Sequence, residues 1–422
     1  MNIENLYQQN QCSLDLHLTV YDGDFQIVKD LFQDEDFSKL VDRVLDPSPV
    51  YHSRRDLLKK GLRLTPIIAP EIYSLAEKAR DILGLKPKIE LYIYQDTYFN
   101  ASCYPPDDRS LYIMITSALL EKFDPNELMF VIGHEIGHYL FNHHAIPLNL
   151  LLNKENSVDL SPLQVMKLYA WSRNAEISAD RIGLLCAQDF EAAGKAFFKL
   201  SSGVTGDVIS FQLSEYMKQL TELQSEVENS TINPDDWYST HPFSPLRINA
   251  LDVFQRSSTY YQLIGSEGGD IAEGDLENEV KQIMAIMEPD YLFAETPIAR
   301  IVRKFLFLTA ASIINADGEI TDSELQAMQD LFGEVKLKNI TRITEIKVSR
   351  IIQQLEEYAK EINLHLSVTK RLAIIRDLAV ITYSDKKIDD IEISVMNTAC
   401  DLLKIRRDFI FQVLQDLGAP LD

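Results

Sequence analysis

A chain of 422 residues exceeds one ordinary hydrophobic core, so two or three domains are expected. With 46% hydrophobic and 25% charged residues it falls in the globular range, and no segment approaches the roughly 20 apolar residues of a membrane helix. The formal charge of -23 repels phosphate backbones and anionic headgroups, and no basic patch offsets it, which argues against nucleic acid as a partner.

The opening Met1-Asn2-Ile3-Glu4-Asn5 lacks the basic start and apolar stretch of a secretory signal. Cys12, Cys103, Cys186 and Cys400 are scattered without metal-type pairing, which suits a reducing compartment, so a cytoplasmic location is expected. Residues 1–60 read as an N-terminal extension without an assigned role. Apolar alternation over 14–20 predicts a strand there, and apolar periodicity after Asp36 predicts a helix. From about 70 to 260 the pattern gives a helix over 70–83, strands over 89–94 and 111–116, then several helices. That is an α+β layout, mainly helical with a small sheet.

Asp124-Pro125-Asn126-Glu127 supplies an N-cap, a proline at the first helical position and a capping-box carboxylate, so a helix begins there. It carries His134-Glu135-Ile136-Gly137-His138. Side chains four apart share a face one turn apart, which lets two imidazoles reach one ion at about 2.0 to 2.1 Å. Glu135, next along, points beside that ion and is suited to take a proton from metal-bound water. The run Leu128, Met129, Phe130, Val131, Ile132 makes the helix buried, and unpaired polar groups are costly in such a setting. Metal ligation is the natural compensation. His143 and His144 follow the helix, at the end where positive character is favoured.

A catalytic zinc needs a third protein ligand and one open position. A second helix, starting at Ser161-Pro162, carries Glu176 and Asp180 four apart, where like charges repel unless a cation intervenes. Glu176 is the candidate third ligand, and Asp180 the candidate carboxylate that orients a ligating histidine. A third element is Ser239-Thr240-His241-Pro242, followed by Arg247.

In this order the paired-histidine helix, the Glu-x-x-x-Asp pattern of Glu176 and Asp180, and His241-Pro242 with Arg247 resemble the HtpX and CaaX-prenyl-endopeptidase family of zinc metallopeptidases, the gluzincins. The resemblance extends over 61–262, read as a metallopeptidase domain. It implies that His134, His138 and Glu176 bind one zinc ion, that Glu135 is the base and that Asp180 supports the ligands. It also implies that His241 and Arg247 line the cleft, where a donor would stabilise the oxyanion. The family's best-known members are embedded in membranes, and this sequence has no segment for that, so soluble proteins or peptides are the expected substrates. An extended substrate would lie against 111–116 as an edge strand. The segment between Ser201 and Trp237 is a candidate for occluding the cleft. Two rivals are a pseudoprotease with a structural zinc and an acidic scaffold that binds no metal. No oligomeric state is implied.

The stretch 265–279 holds six acidic residues, four glycines and no basic residue, so 263–296 reads as an acidic linker with a connecting helix. Beyond it, 311–324 aligns with 379–392, each an apolar helix, an acidic turn and a capped helix. Residues 297–422 therefore resemble a TerB-like all-α domain, expected to recruit a protein partner or restrict access to the cleft. A calcium loop fails because its first position would be Ile313, or Ile381 in the second copy, where calcium requires oxygen.

Overall fold

The computed structural model describes residues 11–33, 35–45, 53–104, 110–152, 160, 162–206, 210–229, 239–287, 297–315, 321–332, 348–366, 368–385, 387–416 and 419. The chain forms two compact units. One comprises Met1–Val158, Tyr169–Glu222 and Ser239–Met284, the other Asp159–Leu168, Leu223–Tyr238 and Ala285–Asp422.

The first unit opens with a 3-10 turn, Leu16–Leu18, in which the Asp15 side chain accepts from the His17 amide at 3.0 Å. This replaces the strand expected over 14–20. The alternation was real, but among the described residues no strand pairs with it, and Leu16 enters the core from a turn instead. Helices α1 (Asp22–Gln33), α2 (Glu35–Leu45) and α3 (Ser53–Lys60) lead to β1 (Leu62–Arg63), α4 (Pro70–Leu83), β2 (Lys88–Tyr94), β3 (Ala101–Tyr104) and β4 (Ser110–Thr116).

The sheet order is β1-β2-β4-β3, with β4 parallel to β2 and antiparallel to β3. All seven residues of β4 are buried, and its apolar run over 111–115 is that of a strand covered on both faces. The strand expected at the edge, 111–116, is thus internal, and β3 forms that edge.

Next come α5 (Ser117–Lys122), α6 (Pro125–Leu140), α7 (Leu148–Leu151), α8 (Pro162–Ala187), α9 (Phe190–Ser202), α10 (Leu213–Asn229), α11 (Ser244–Gln255), α12 (Ser258–Leu263) and α13 (Glu273–Met284). Helix α13 arises within the acidic stretch read as linker. It buries Leu276, Val280 and Met284 on one face, and Glu277 pairs with Arg181 at 2.8 Å. A connecting helix was expected within 263–296, but composition over 265–279 misses that it begins inside the acidic stretch, because one apolar residue per turn suffices when a neighbour supplies the rest of the core. Arg181 itself is buried, with its guanidinium over the rings of Tyr21 and Phe254 at 5.6 and 5.0 Å, and it donates to the Val20 carbonyl. The N-terminal segment, α8 and α13 are therefore held by one cation.

The second unit contains α14 (Pro297–Ile313), α15 (Asp322–Phe332), α16 (Val348–His365), α17 (Val368–Thr382), α18 (Asp390–Leu402) and α19 (Asp408–Asp416) around Phe305, Leu306, Met328, Leu378, Met396 and Ile410. Its internal repeat is visible in the caps. Glu324 accepts from the Thr321 amide and Glu392 from the Asp389 amide, each at 2.8 Å, so α15 and α18 start alike. Ile313 and Ile381 are buried in the preceding helices. The first acidic turn, 316–320, lies outside the described residues. Among the described residues no helix is long and apolar enough to cross a membrane.

Candidate metal centre

Helix α6 starts where its cap dictates. Asp124 accepts from the amides of Asn126 and Glu127 at 2.9 and 3.0 Å, and Glu127 accepts from the Asp124 amide at 2.8 Å. Lys199 reaches the buried Glu127 carboxylate at 2.6 Å. That register sets His134 and His138 on one face, with Nε2 atoms 3.1 Å apart.

Helix α8 crosses α6 at glycine. A Cβ on Gly137 would lie 2.8 Å from Ala179 Cα, and one on Gly133 would lie 3.0 Å from Gly183 Cα. With the backbones this close, Glu176 on α8 reaches both imidazoles, its oxygens 3.5 Å from His134 Nε2 and 3.4 Å from His138 Nε2. Gly137→Val should force the helices apart, costing about 1–3 kcal/mol and reducing the metal retained after dialysis. A variant that melts like wild type and retains metal would show that this crossing tolerates bulk.

The donor set fits a small tetrahedral cation. Ligands at 2.0–2.1 Å with tetrahedral angles sit about 3.3–3.4 Å from one another; the two Nε2 atoms are 3.1 Å apart, Glu176 Oε1 is 3.4 Å from His138 Nε2 and Glu176 Oε2 is 3.5 Å from His134 Nε2, so one donor atom of each residue lies within 4.8 Å of the others. His134 Nδ1 lies 2.9 Å from Asp180 Oδ1. The carboxylate can only accept, so Nδ1 carries the proton and the Nε2 lone pair faces Glu176. A proton could join one pair of these donors but not all three. Glu135, buried on α6, is near enough to act electrostatically on both His138 and Cys103 of β3.

Charge is balanced by Arg247 on α11. Its Nε and Nη2 donate to the two Asp180 oxygens at 2.8 and 2.6 Å, Nη2 lies 3.1 Å from Glu176 Oε2, and the guanidinium stacks on Phe197 at 4.8 Å. Burial alone would raise the Glu176 carboxyl, but Arg247, His241 and the two motif histidines hold it well below the usual carboxylate range. Burial opposes charge on His138 as well, yet Glu176 beside it raises its pKa, so the donor set attracts positive charge.

Arg247 was expected to line the cleft. Its side chain is only 12% exposed and is engaged by the two carboxylates, so it stands behind Glu176. His241 is 63% exposed, with Nε2 3.6 Å from Glu176 Oε1. Helix α8 holds its segment in place: Ser172 donates to the Thr240 carbonyl at 2.9 Å and Arg173 to the Ser239 carbonyl at 3.0 Å. His241, Pro242 and Phe243 line a groove with Ser201 and Tyr216. Of the segment expected to occlude the cleft, the structure describes the end of α9 and helix α10, while 207–209 and 230–237 lie outside the described residues.

His143 and His144 do not supply positive character to the end of α6. Burial depresses both, His144 to about 3. Asn142 adopts a left-handed φ of 53° and turns the chain back, so that His143 Nδ1 lies 2.8 Å from His138 Nδ1. On its other side His143 Nε2 lies 3.0 Å from Asp24 Oδ2. The sequence reading did not reach Asp24, and no local spacing points to it. Gly137 was legible in principle, as the small residue inside the motif.

Two helices thus converge two histidines and a glutamate that could hold a metal ion, with another glutamate beside them. Comparison with known proteins narrows this: residues 68–254 match peptidase family M48 and residues 304–412 match tellurite resistance protein TerB, so the chain carries an M48 peptidase domain followed by a TerB domain. Over 214 residues, 46% of the chain, it is 24% identical to the plastoglobule-localized metallopeptidase 48 of Arabidopsis thaliana. Over 241 residues, 50% of the chain, it is 27% identical to a protease HtpX homolog of Helicobacter pylori. A protease HtpX homolog of Helicobacter acinonychis is 35% identical over 100 residues, 24% of the chain. The chain spans 59%, 70% and 28% of these three relatives respectively. No solved structure gives a significant match.

Proposed function

We propose that this chain is a zinc-dependent endopeptidase that hydrolyses peptide bonds in proteins or peptides, with His134, His138 and Glu176 as the zinc ligands and Glu135 as the base. The observation that carries this reading is the convergence of His134 Nε2, His138 Nε2 and the Glu176 carboxylate within 4.8 Å of one another, with Glu135 on the helix of the two histidines. Zinc held there would polarise the scissile carbonyl and bring the pKa of an attacking water towards about 7. The Glu135 carboxylate then takes the proton of that water and passes it to the leaving amine nitrogen. His241, exposed beside Glu176, is suited to donate to the developing oxyanion. Arg247 and Asp180 act as positioning residues, the first on Glu176 and the second on His134.

An extended substrate would find its main-chain partners on β3, an edge strand of the sheet, whose Cys103 neighbours Glu135. The TerB domain, within the second compact unit, is suited to a protein partner. The free thiols of Cys12, Cys103, Cys186 and Cys400 suit a reducing, cytoplasmic setting.

Purified protein should contain one zinc per chain, lose cleavage of an unstructured protein on chelation and recover it on zinc addition. Cleavage that survives complete removal of metal would refute the proposal.

A further inference from the structure

Resting on that zinc assignment, we propose that Asp24 is a positioning residue of the metal centre. It lies on α1, outside residues 68–254, and acts through His143 to fix which nitrogen of His138 faces the metal.

The two ligating imidazoles are supported differently. His134 leans directly on Asp180. His138 leans on a second imidazole, which leans on a carboxylate 119 positions away along the chain. The direction of each hydrogen bond follows from the far end. Asp24 is 1% exposed and receives the Trp171 indole N–H on Oδ1 at 3.0 Å and the Ser178 hydroxyl on Oδ2 at 2.7 Å. It is an acceptor only, so His143 Nε2 donates to it. A neutral His143 then presents a lone pair at Nδ1. His138 Nδ1 must donate to that lone pair, which leaves His138 Nε2 free of a proton and directed at His134 Nε2 and Glu176. Reverse one bond and the ligand atom carries a proton instead.

Asparagine at position 24 performs that reversal with almost no change of shape. The Trp171 N–H cannot reverse and still requires an oxygen at the Oδ1 position, whereas the Ser178 hydroxyl at Oδ2 can turn and accept, so the amide NH2 occupies the Oδ2 position and donates to Ser178 Oγ and to His143 Nε2. His143 Nδ1 is then protonated and donates to His138 Nδ1. The proton of His138 is driven onto Nε2, the atom that binds metal.

The test is the zinc dissociation constant, read by competition with a chromophoric chelator at fixed pH, together with melts of the zinc-free and zinc-bound forms. Asp24→Asn should weaken zinc binding about 10–100-fold, the usual effect of losing a partner that orients a ligand. The zinc-induced rise in melting temperature should shrink, even if the zinc-free melt also falls. His143→Leu, which leaves Asp24 bonded to Trp171 and Ser178, should weaken zinc by an independent route. In that background Asp24→Asn should have no further effect on affinity. Wild-type affinity in Asp24→Asn overturns the relay, as does a full Asp24 effect that persists without His143. A wild-type protein that binds no stoichiometric zinc overturns the zinc assignment and the relay with it.

Discussion

Glu135→Gln should retain zinc while cleavage of an unstructured protein falls about 10²–10⁴-fold, the usual contribution of a positioned proton acceptor. Glutamine keeps the length of the side chain and its place on α6. It removes only the ability to accept a proton. Because Glu135 is not among the three converging donors, metal content measured by mass spectrometry should match wild type. Loss of zinc together with activity would mean that Glu135 belongs to the ligand set. Undiminished cleavage would remove it from the reaction.

The second large effect is expected at Arg247. Its two bonds to Asp180 and its contact with Glu176 compensate two buried carboxylates at once. Burial disfavours its charge, but Asp180 and Glu176 raise its pKa well above the ordinary arginine value. Arg247→Met keeps the stem against Phe197 and removes the guanidinium that compensates both acids. Breaking a buried pair from one side costs about 3–5 kcal/mol, which lowers the melting temperature by on the order of 10 °C for a unit of this size. Arg247→Lys should recover only part of this, since an ammonium cannot grip both Asp180 oxygens as a fork. Calorimetry of the zinc-free proteins separates the cases. A methionine variant that melts with wild type would mean that the carboxylates find other partners.

Much of the centre could be read from local spacing. The Asp124 cap fixes the start of α6, His134 and His138 lie four positions apart, and so do Glu176 and Asp180; each is a property of one helix. The repeated caps of the C-terminal unit are legible for the same reason. What escaped is tertiary. Period-2 alternation over 14–20 fits a strand only if another strand is there to pair with it. The position of β4 inside the sheet depends on the return of β3, which the sequence does not announce. Glycine counts made 265–279 look incapable of order, although α13 needs to bury only Leu276, Val280 and Met284. The link from Asp24 to His143 joins two segments with no shared periodicity.

The placement of Arg181 bears on how the peptidase unit can be excised. A fragment cut to 68–254 keeps that guanidinium and Phe254 but discards Val20, Tyr21 and Glu277, its carbonyl, second ring and counter-ion. An interior charge stranded in this way drives unfolding or aggregation. The smallest autonomous form of this unit therefore begins before Val20 and runs beyond Glu277, a clasp in which both flanks of the recognisable domain close on its central helix.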